Sequence, residues 1–560
     1  MSIGCIIALV FSAGAVFASE IRYEVPSGSE QSLNETLGSD VTALVKAGSG
    51  TLSINIANPS FAGVIEVKEG ILEVKVAGAV GKGSIVVSDG AALHVTYSAV
   101  WMQTDFKGEV KAEGEGPDGG GAVYYSGQGG GDALFEKISL TGAATLGGTR
   151  YGAKSLDFGG STLTWKGTRL ALNNTRISNF GGMVIDTVGD VCFEKSPTFD
   201  DTCKSATACI TIRSGTICVC DLTVPVPLAL KAECASMIHA LSGSGMAMNV
   251  WKGSIETSAG TEFKLQTNGS GASLRIAGAI SGGGKVTATG AGTVILDNEN
   301  NSWTGGTAVS AGFLLALSPS TLPGYDVKDS VVAGPWTEIG GVAMNVGSPV
   351  PGANVTATWA DADIEKLFAS FGFWNDKARL AYHVPEGAIF ESSYAPGKRF
   401  TSIGKGELRL RSSTASTAGV RVESGRVAVD SGEKEGAIGE ILLKGEGIFE
   451  MRSGLLAQSS GALNVGGASG GGFWQTGGEF QHNDTNSVKL ATDEGARGHW
   501  FMDGGSLALA GGLDVGSGGA FGFFSAEERR GFVRAAQLRQ SRSYARQRRR
   551  CGARDSRRRF

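Results

Sequence analysis

Six cysteines, Cys192, Cys203, Cys209, Cys218, Cys220 and Cys234, fall within 43 residues of a 560-residue chain, and only Cys5 and Cys551 lie outside that cluster. Thiols at this density either pair as disulfides, hold a metal or pack as small apolar side chains. Zinc clusters use closely spaced C-x-x-C-type pairs. Here 10, 5, 8, 1 and 13 residues intervene, and the only nearby histidine is His239. The cluster is therefore expected to form up to three disulfides, with connectivity left open. Unpaired core cysteines and a metal site are the alternatives. Cys209 alternates with Ile210 and Ile212, and Cys218 and Cys220 alternate with Ile217 and Val219. Arg213-Ser214-Gly215-Thr216 joins the two runs, which would let Cys209 and Cys220 meet across paired strands. Each closed loop would add about 2–4 kcal/mol.

Other reactive constellations are weak. The five histidines, His94, His239, His383, His482 and His499, are scattered, and no H-E-x-x-H occurs. Gly467-Ala468-Ser469-Gly470-Gly471 matches G-x-S-x-G, but among 87 glycines such a match is nearly free, and no helical pattern follows it. Residues 98–133, with GEGPDGGG and GQGGGD, lack the strand, helix and Lys-Ser/Thr pair of a phosphate-binding loop and read as a glycine-rich excursion. Carboxylates are dispersed, without the facing pair that glycoside hydrolysis needs. The expectation is no enzyme, no catalytic residue, no metal and no cofactor. A carbohydrate-active β-helix enzyme is the alternative.

The elements that would carry these residues are short strands between glycines. In residues 280–316 two strand-like runs, 293–296 and 313–316, flank an Asn-rich turn carrying Trp303. Gly290, Gly292, Gly305, Gly306 and Gly312 punctuate them, read as turn positions that a side chain would forbid. Asn298 and Asn301 are placed at the turn, bonding backbone. The pattern returns near the N-terminus, where Gly50, Phe61, Gly63 and Gly70 keep the spacing of Gly292, Trp303, Gly305 and Gly312. A degenerate third copy spans 404–429, with Gly406 and Gly419 in step and the aromatic missing. A looser pair follows: Leu463-Asn464-Val465-Gly466 recurs as Leu513-Asp514-Val515-Gly516. One such strand pair cannot bury its own apolar face, but stacked rungs can. The fold expected is all-β, a parallel β-helix or β-solenoid, with an antiparallel sandwich as the alternative.

The stretch 280–316 resembles the autotransporter-associated β-strand repeat, also called the passenger-associated transport repeat. The match runs through a GAGTL-like strand, an Asn-rich turn, an aromatic, T-G-G-T and a final G-x-L. The resemblance implies a passenger-type β-solenoid, with the repeat tied to export and folding rather than ligand recognition. It implies secretion or display at a bacterial surface or outer membrane. It also implies contact with export machinery or surface components, and with glycans or host or neighbouring cells. Nucleic acid is not an expected partner. Such proteins often carry a short helical insert, and residues 361–371 fit: Ile364, Leu367, Phe368 and Phe371 share one helical face, expected to pack on the solenoid flank. Thr358 or Asp361 is the expected cap.

Along the chain the reading is a signal peptide at 1–18, cut after Val16-Phe17-Ala18. It lacks a basic first segment, which suggests a displaced start codon. Solenoid follows at 19–97, the glycine-rich loop at 98–133, solenoid with the cysteine cluster at 134–316, the helical insert at 317–402 and solenoid at 403–524. Residues 525–560 change character, with 13 Arg, no Lys and 3 acidic residues. The swap reads as a shifted reading frame; an anionic-surface anchor and nucleic-acid binding are alternatives. Autotransporters end in a membrane β-barrel, whose alternating strands have no counterpart after Phe524. The expectation is a passenger part with a structural or adhesive role, or a truncated, non-functional fragment.

Overall fold

Val, Ile and Leu alternate with polar residues over four to seven positions between glycines, and each such run forms a strand. The computed structural model describes residues 19–205, 207–241, 248–334, 340–373, 378–411, 416–466, 470–491, 494–516, 520–526, 532–535 and 538–540. The proposed signal peptide and most of the Arg-rich segment lie outside the described residues, as do Gly467, Ala468 and Ser469. The chain divides into two units, Met1–Ala308 and Val309–Phe560. Each is a parallel β-solenoid.

In the first unit, one column of strands runs Ser19–Glu24, Val41–Ala47, Val64–Val67 and Ser84–Val87, each pairing in parallel with the next. A second column runs Glu30–Leu33, Thr51–Ile54, Gly70–Val74 and Ala91–Val95, again parallel. A rung is therefore strand, tight corner, strand and return. The inward residues Leu44, Leu52, Ile54, Ile65, Leu72 and Leu93 are fully buried, and Val74, Ile85 and Val87 nearly so. Each rung supplies one layer of that core and its neighbour the next, and this excludes the antiparallel sandwich. Further along, Ser236–Leu241, Glu262–Asn268 and Lys285–Gly290 continue one column, and Met248–Trp251, Ser273–Ile276 and Thr293–Leu296 form another.

The segment 98–133, expected as a loop, contains the strands Phe106–Gly114 and Val123–Tyr125. Val110, Ala112, Val123 and Tyr125 are all buried, so this apolar alternation keeps the chain in the ladder, and the glycines mark only the connections between strands.

In the second unit, Gly340–Asn345, Arg379–His383 and Phe400–Ile403 stack in parallel. Ile389–Ser392 and Glu407–Leu410 stack beside them. Residues 317–402 thus stay in the solenoid and insert one helix, Asp361–Ser370, the only α-helix among the described residues. Ile364 and Leu367 are fully buried, and Phe368 and Phe371 nearly so. The N-cap is Ala360, with no side-chain cap. Asp361 instead accepts from Ser392 Oγ at 2.6 Å and Ser393 N at 2.7 Å, pinning the helix to a strand end. Asp363 accepts from the Tyr325 hydroxyl at 2.8 Å.

Candidate functional site

The repeat residues do their work between rungs. Gly50, Gly63, Gly292 and Gly305 do not sit at positive φ; they stand where a Cβ would strike the backbone of the preceding rung. At Gly292 it would lie 2.1 Å from Ala272 O, at Gly50 2.2 Å from Pro26 O and at Gly63 2.4 Å from Thr42 O. Gly70 and Gly312 are the left-handed positions, at φ +70° and +62°. The aromatic fills the core beside the turn: Phe61 is fully buried, and Trp303 is 2% exposed with Nε1 donating to Thr307 Oγ1 at 3.1 Å. Asn298 donates to Ala277 O at 2.9 Å, and Asn301 accepts from Ile280 N at 2.8 Å. Asn58 spans three rungs, accepting from Leu37 N at 2.7 Å and donating to Ala79 O at 2.6 Å. Backbone groups at the bends are thus satisfied by side chains.

The degenerate copy reproduces this corner. A Cβ at Gly406 would meet Pro385 O at 2.3 Å and Ala388 O at 2.6 Å; at Gly50 the contacts are Pro26 O at 2.2 Å and Ser29 O at 2.6 Å. Val25-Pro26-Ser27-Gly28 and Val384-Pro385-Glu386-Gly387 are the matching sequence signal.

Lys46, inside the first copy, is fully buried. Its Nζ donates to Ala47 O, Gly48 O and Glu69 O, so it caps carbonyls at the corners of two successive rungs. Burial pulls its pKa down to about 8, against a smaller opposing pull from Glu69 and Glu24.

The six cysteines are all free thiols in this structure, so the expected disulfides are not formed. Cys209 and Cys220 cannot meet as expected. They are the two ends of one strand, Cys209–Cys220, because Gly215 at φ +87° turns a corner within the strand and makes no hairpin. Cys209 lies opposite Ala229, and Cys220 opposite Glu194 and Leu241. Cys203 sits in a 3-10 turn, where burial raises its thiol to about 12. Cys192 and Cys218, by contrast, face each other in register on adjacent strands. His239 follows Cys218 in the next rung, and its buried Nε2 has no hydrogen-bond partner among the described residues. No group of three or more His, Cys, Asp or Glu is arranged to hold a metal among the described residues.

Carboxylates form charge ladders along the outer faces. Ser53 Oγ lies within hydrogen-bond reach of Glu30 at 2.8 Å and of Glu73 at 2.7 Å, its one proton serving either, and Lys75 pairs with both at 2.8 and 2.9 Å. Asp132 holds Arg150 through two nitrogens, and Asp190 holds Arg169 the same way. In the second unit Arg452 bridges Glu407 and Glu450, Arg426 also reaches Glu450, and its guanidinium lies 4.6 Å over Trp474. Sequence spacing hides these ladders, because partners lie one or two rungs apart. One surface depression of 590 Å³ is lined by Lys328, Asp329, Val332, Ser370, Phe371 and Lys398, a single carboxylate beside two lysines.

Each of the two repeat copies thus supplies strands and a glycine corner of a stacked parallel β-solenoid. The passenger-associated-transport-repeat model matches residues 44–74 and 286–316, the two copies whose geometry is given above. The chain therefore carries two such repeats. No curated protein and no solved structure matches the chain.

Proposed function

We propose that this chain is a passenger-type solenoid, exported to the bacterial surface or secreted, with a structural or adhesive role. The observation that carries the reading is the pair of passenger-associated transport repeats set as ordinary rungs of a parallel solenoid. Repeated outer faces, with charge ladders on successive rungs, suit multivalent weak contact, where many small sites give avidity that none has alone. Surface glycans and neighbouring cells are the proposed partners, and export machinery is the proposed route. The proposal is non-catalytic, supported by the ladder carboxylates Glu30, Glu73, Asp132, Asp190, Glu407 and Glu450 each being engaged by arginine, lysine or serine. A carbohydrate-active enzyme would instead need a facing pair of free carboxylates.

The test is adherence of beads coated with the full chain to producer cells and to plates coated with mixed surface glycans. Adherence should rise steeply with coating density and fall with salt. Adherence equal to that of beads coated with an unrelated solenoid would overturn the adhesive role. Release of reducing sugar from the same plates would favour the enzyme.

A further inference from the structure

We infer that Cys192 and Cys218 are a built dithiol that oxidises to a single cross-rung disulfide, tying strand Met183–Glu194 to strand Cys209–Cys220. The two residues are register partners in a parallel ladder. Adjacent strands there lie about 4.8 Å apart, inside the Cα separation of about 4.4–6.8 Å that a disulfide spans. Both side chains leave the same face, because Val191 and Phe193, and Ile217 and Val219, are the core-facing neighbours at alternate positions. Cys192 is fully buried and Cys218 1% exposed.

No other pair in the cluster has this relation. The register partners of Cys209 and Cys220 are not cysteines. Cys203 Sγ contacts Ile177 O at 3.9 Å and Asp200 at 3.6 Å. Cys234 Sγ contacts Ile212 O at 3.8 Å and Ala235 O at 3.4 Å. The flanks of the pair are polar: Asp190 and Glu194 share the Cys192 face two positions either side, Arg169 pairs with Asp190, and His239 lies beyond Cys218. Contact with Cys218 and burial hold the Cys192 thiol far above its ordinary range. Closing the pair to a disulfide needs a two-electron oxidant.

The oxidant class is a small disulfide such as oxidised glutathione. One protein thiol gives its proton to solvent or His239, and its thiolate attacks a sulfur of the oxidant, releasing one thiol. The second protein sulfur then displaces the other glutathione, so two protein thiols are oxidised and one disulfide is reduced to two thiols.

The experiment refolds the reduced full chain in oxidised glutathione, so that the oxidant meets both sulfurs before the rung closes over them, then quenches in acid, alkylates free thiols and maps peptides without reduction. The expected result is a Cys192–Cys218 linked pair lighter by two hydrogens, formed equally in Cys203→Ser and Cys220→Ser. Hydrogen exchange across 191–194 and 217–220 should slow in the oxidised form. Alkylated Cys192 and Cys218, under conditions where Cys220 or Cys234 carries glutathione, would overturn the inference. A different partner for either cysteine would do the same. The wild-type map decides alone, so a variant that fails to fold leaves the test intact.

Discussion

Replacing Gly292 by alanine tests how the repeat works. A Cβ there would lie 2.1 Å from Ala272 O, 2.9 Å from Gly269 O and 3.0 Å from Ala272 C. Comfortable contacts lie near 3.5 Å, so the strand must retreat by more than about 1 Å. That retreat breaks the Thr293 N–Ala272 O bond, now 3.0 Å, and the Gly292 N–Thr267 Oγ1 bond, also 3.0 Å. Each of the two hydrogen bonds is worth about 1 kcal/mol net and forced overpacking costs about 1–3 kcal/mol, giving roughly 3–5 kcal/mol. The control is Gly260→Ala, at φ +76° with nothing within 4 Å of its Cβ, where only the left-handed backbone costs about 1–2 kcal/mol. Amide hydrogen exchange reads local opening rung by rung. Gly292→Ala should speed exchange at 293–296 and 273–276 by about a hundredfold or more, and Gly260→Ala much less at its own rung. Equal effects of the two variants would refute the claim that this glycine serves close rung approach.

Three further outcomes follow from the same geometry. The folded pKa of Lys46, about 8, lies below its ordinary 10.5, so the unfolded chain binds the extra proton and stability rises with pH between those values, by at most about 1.4 kcal/mol per unit. Lys46→Met should remove that slope relative to wild type in urea titrations at pH 7.5–10.5, and should destabilise at pH 7 by leaving the Gly48 and Glu69 carbonyls without their Nζ donor. Trp303→Ala should open its rung at a cost of about 3–5 kcal/mol, and Trp303→Phe at about 1 kcal/mol, through loss of the Thr307 bond; thermal melts and hydrogen exchange separate the two. Glu73→Gln cuts one partly exposed ladder and should cost about 1 kcal/mol or less, fading at high salt; a larger loss would mean the ladder holds the rung.

The solenoid was legible because its signals are local. Alternation in 293–296, glycines at fixed spacing and an aromatic two residues before a glycine can each be read within the sequence of a single rung. Helix Asp361–Ser370 was legible for the same reason, from Ile364, Leu367 and Phe368 on one face. What escaped depends on which residue lies above which. Cys192 meets Cys218 only once the rung period is known, whereas local alternation suggested a hairpin between Cys209 and Cys220 that Gly215 converts into a corner. The glycine-rich look of 98–133 hid two strands, because composition counts glycines that connect and apolar residues that bury with equal weight. Nothing near Lys46 in sequence announces the Glu69 carbonyl of the next rung that its Nζ reaches. The glycines were recognised as structural, but Gly50, Gly63, Gly292 and Gly305 answer to a neighbouring backbone and have no positive φ.

The passenger reading is tested most directly by location. Intact producer cells making the full chain would be treated with an external protease, with a cytoplasmic enzyme as lysis control, and chain in cells and medium followed by immunoblot. The account predicts that the chain is cleaved on intact cells or recovered in the medium while the lysis control stays whole. A chain that remains cell-associated, and is protected until the cells are broken, would contradict it.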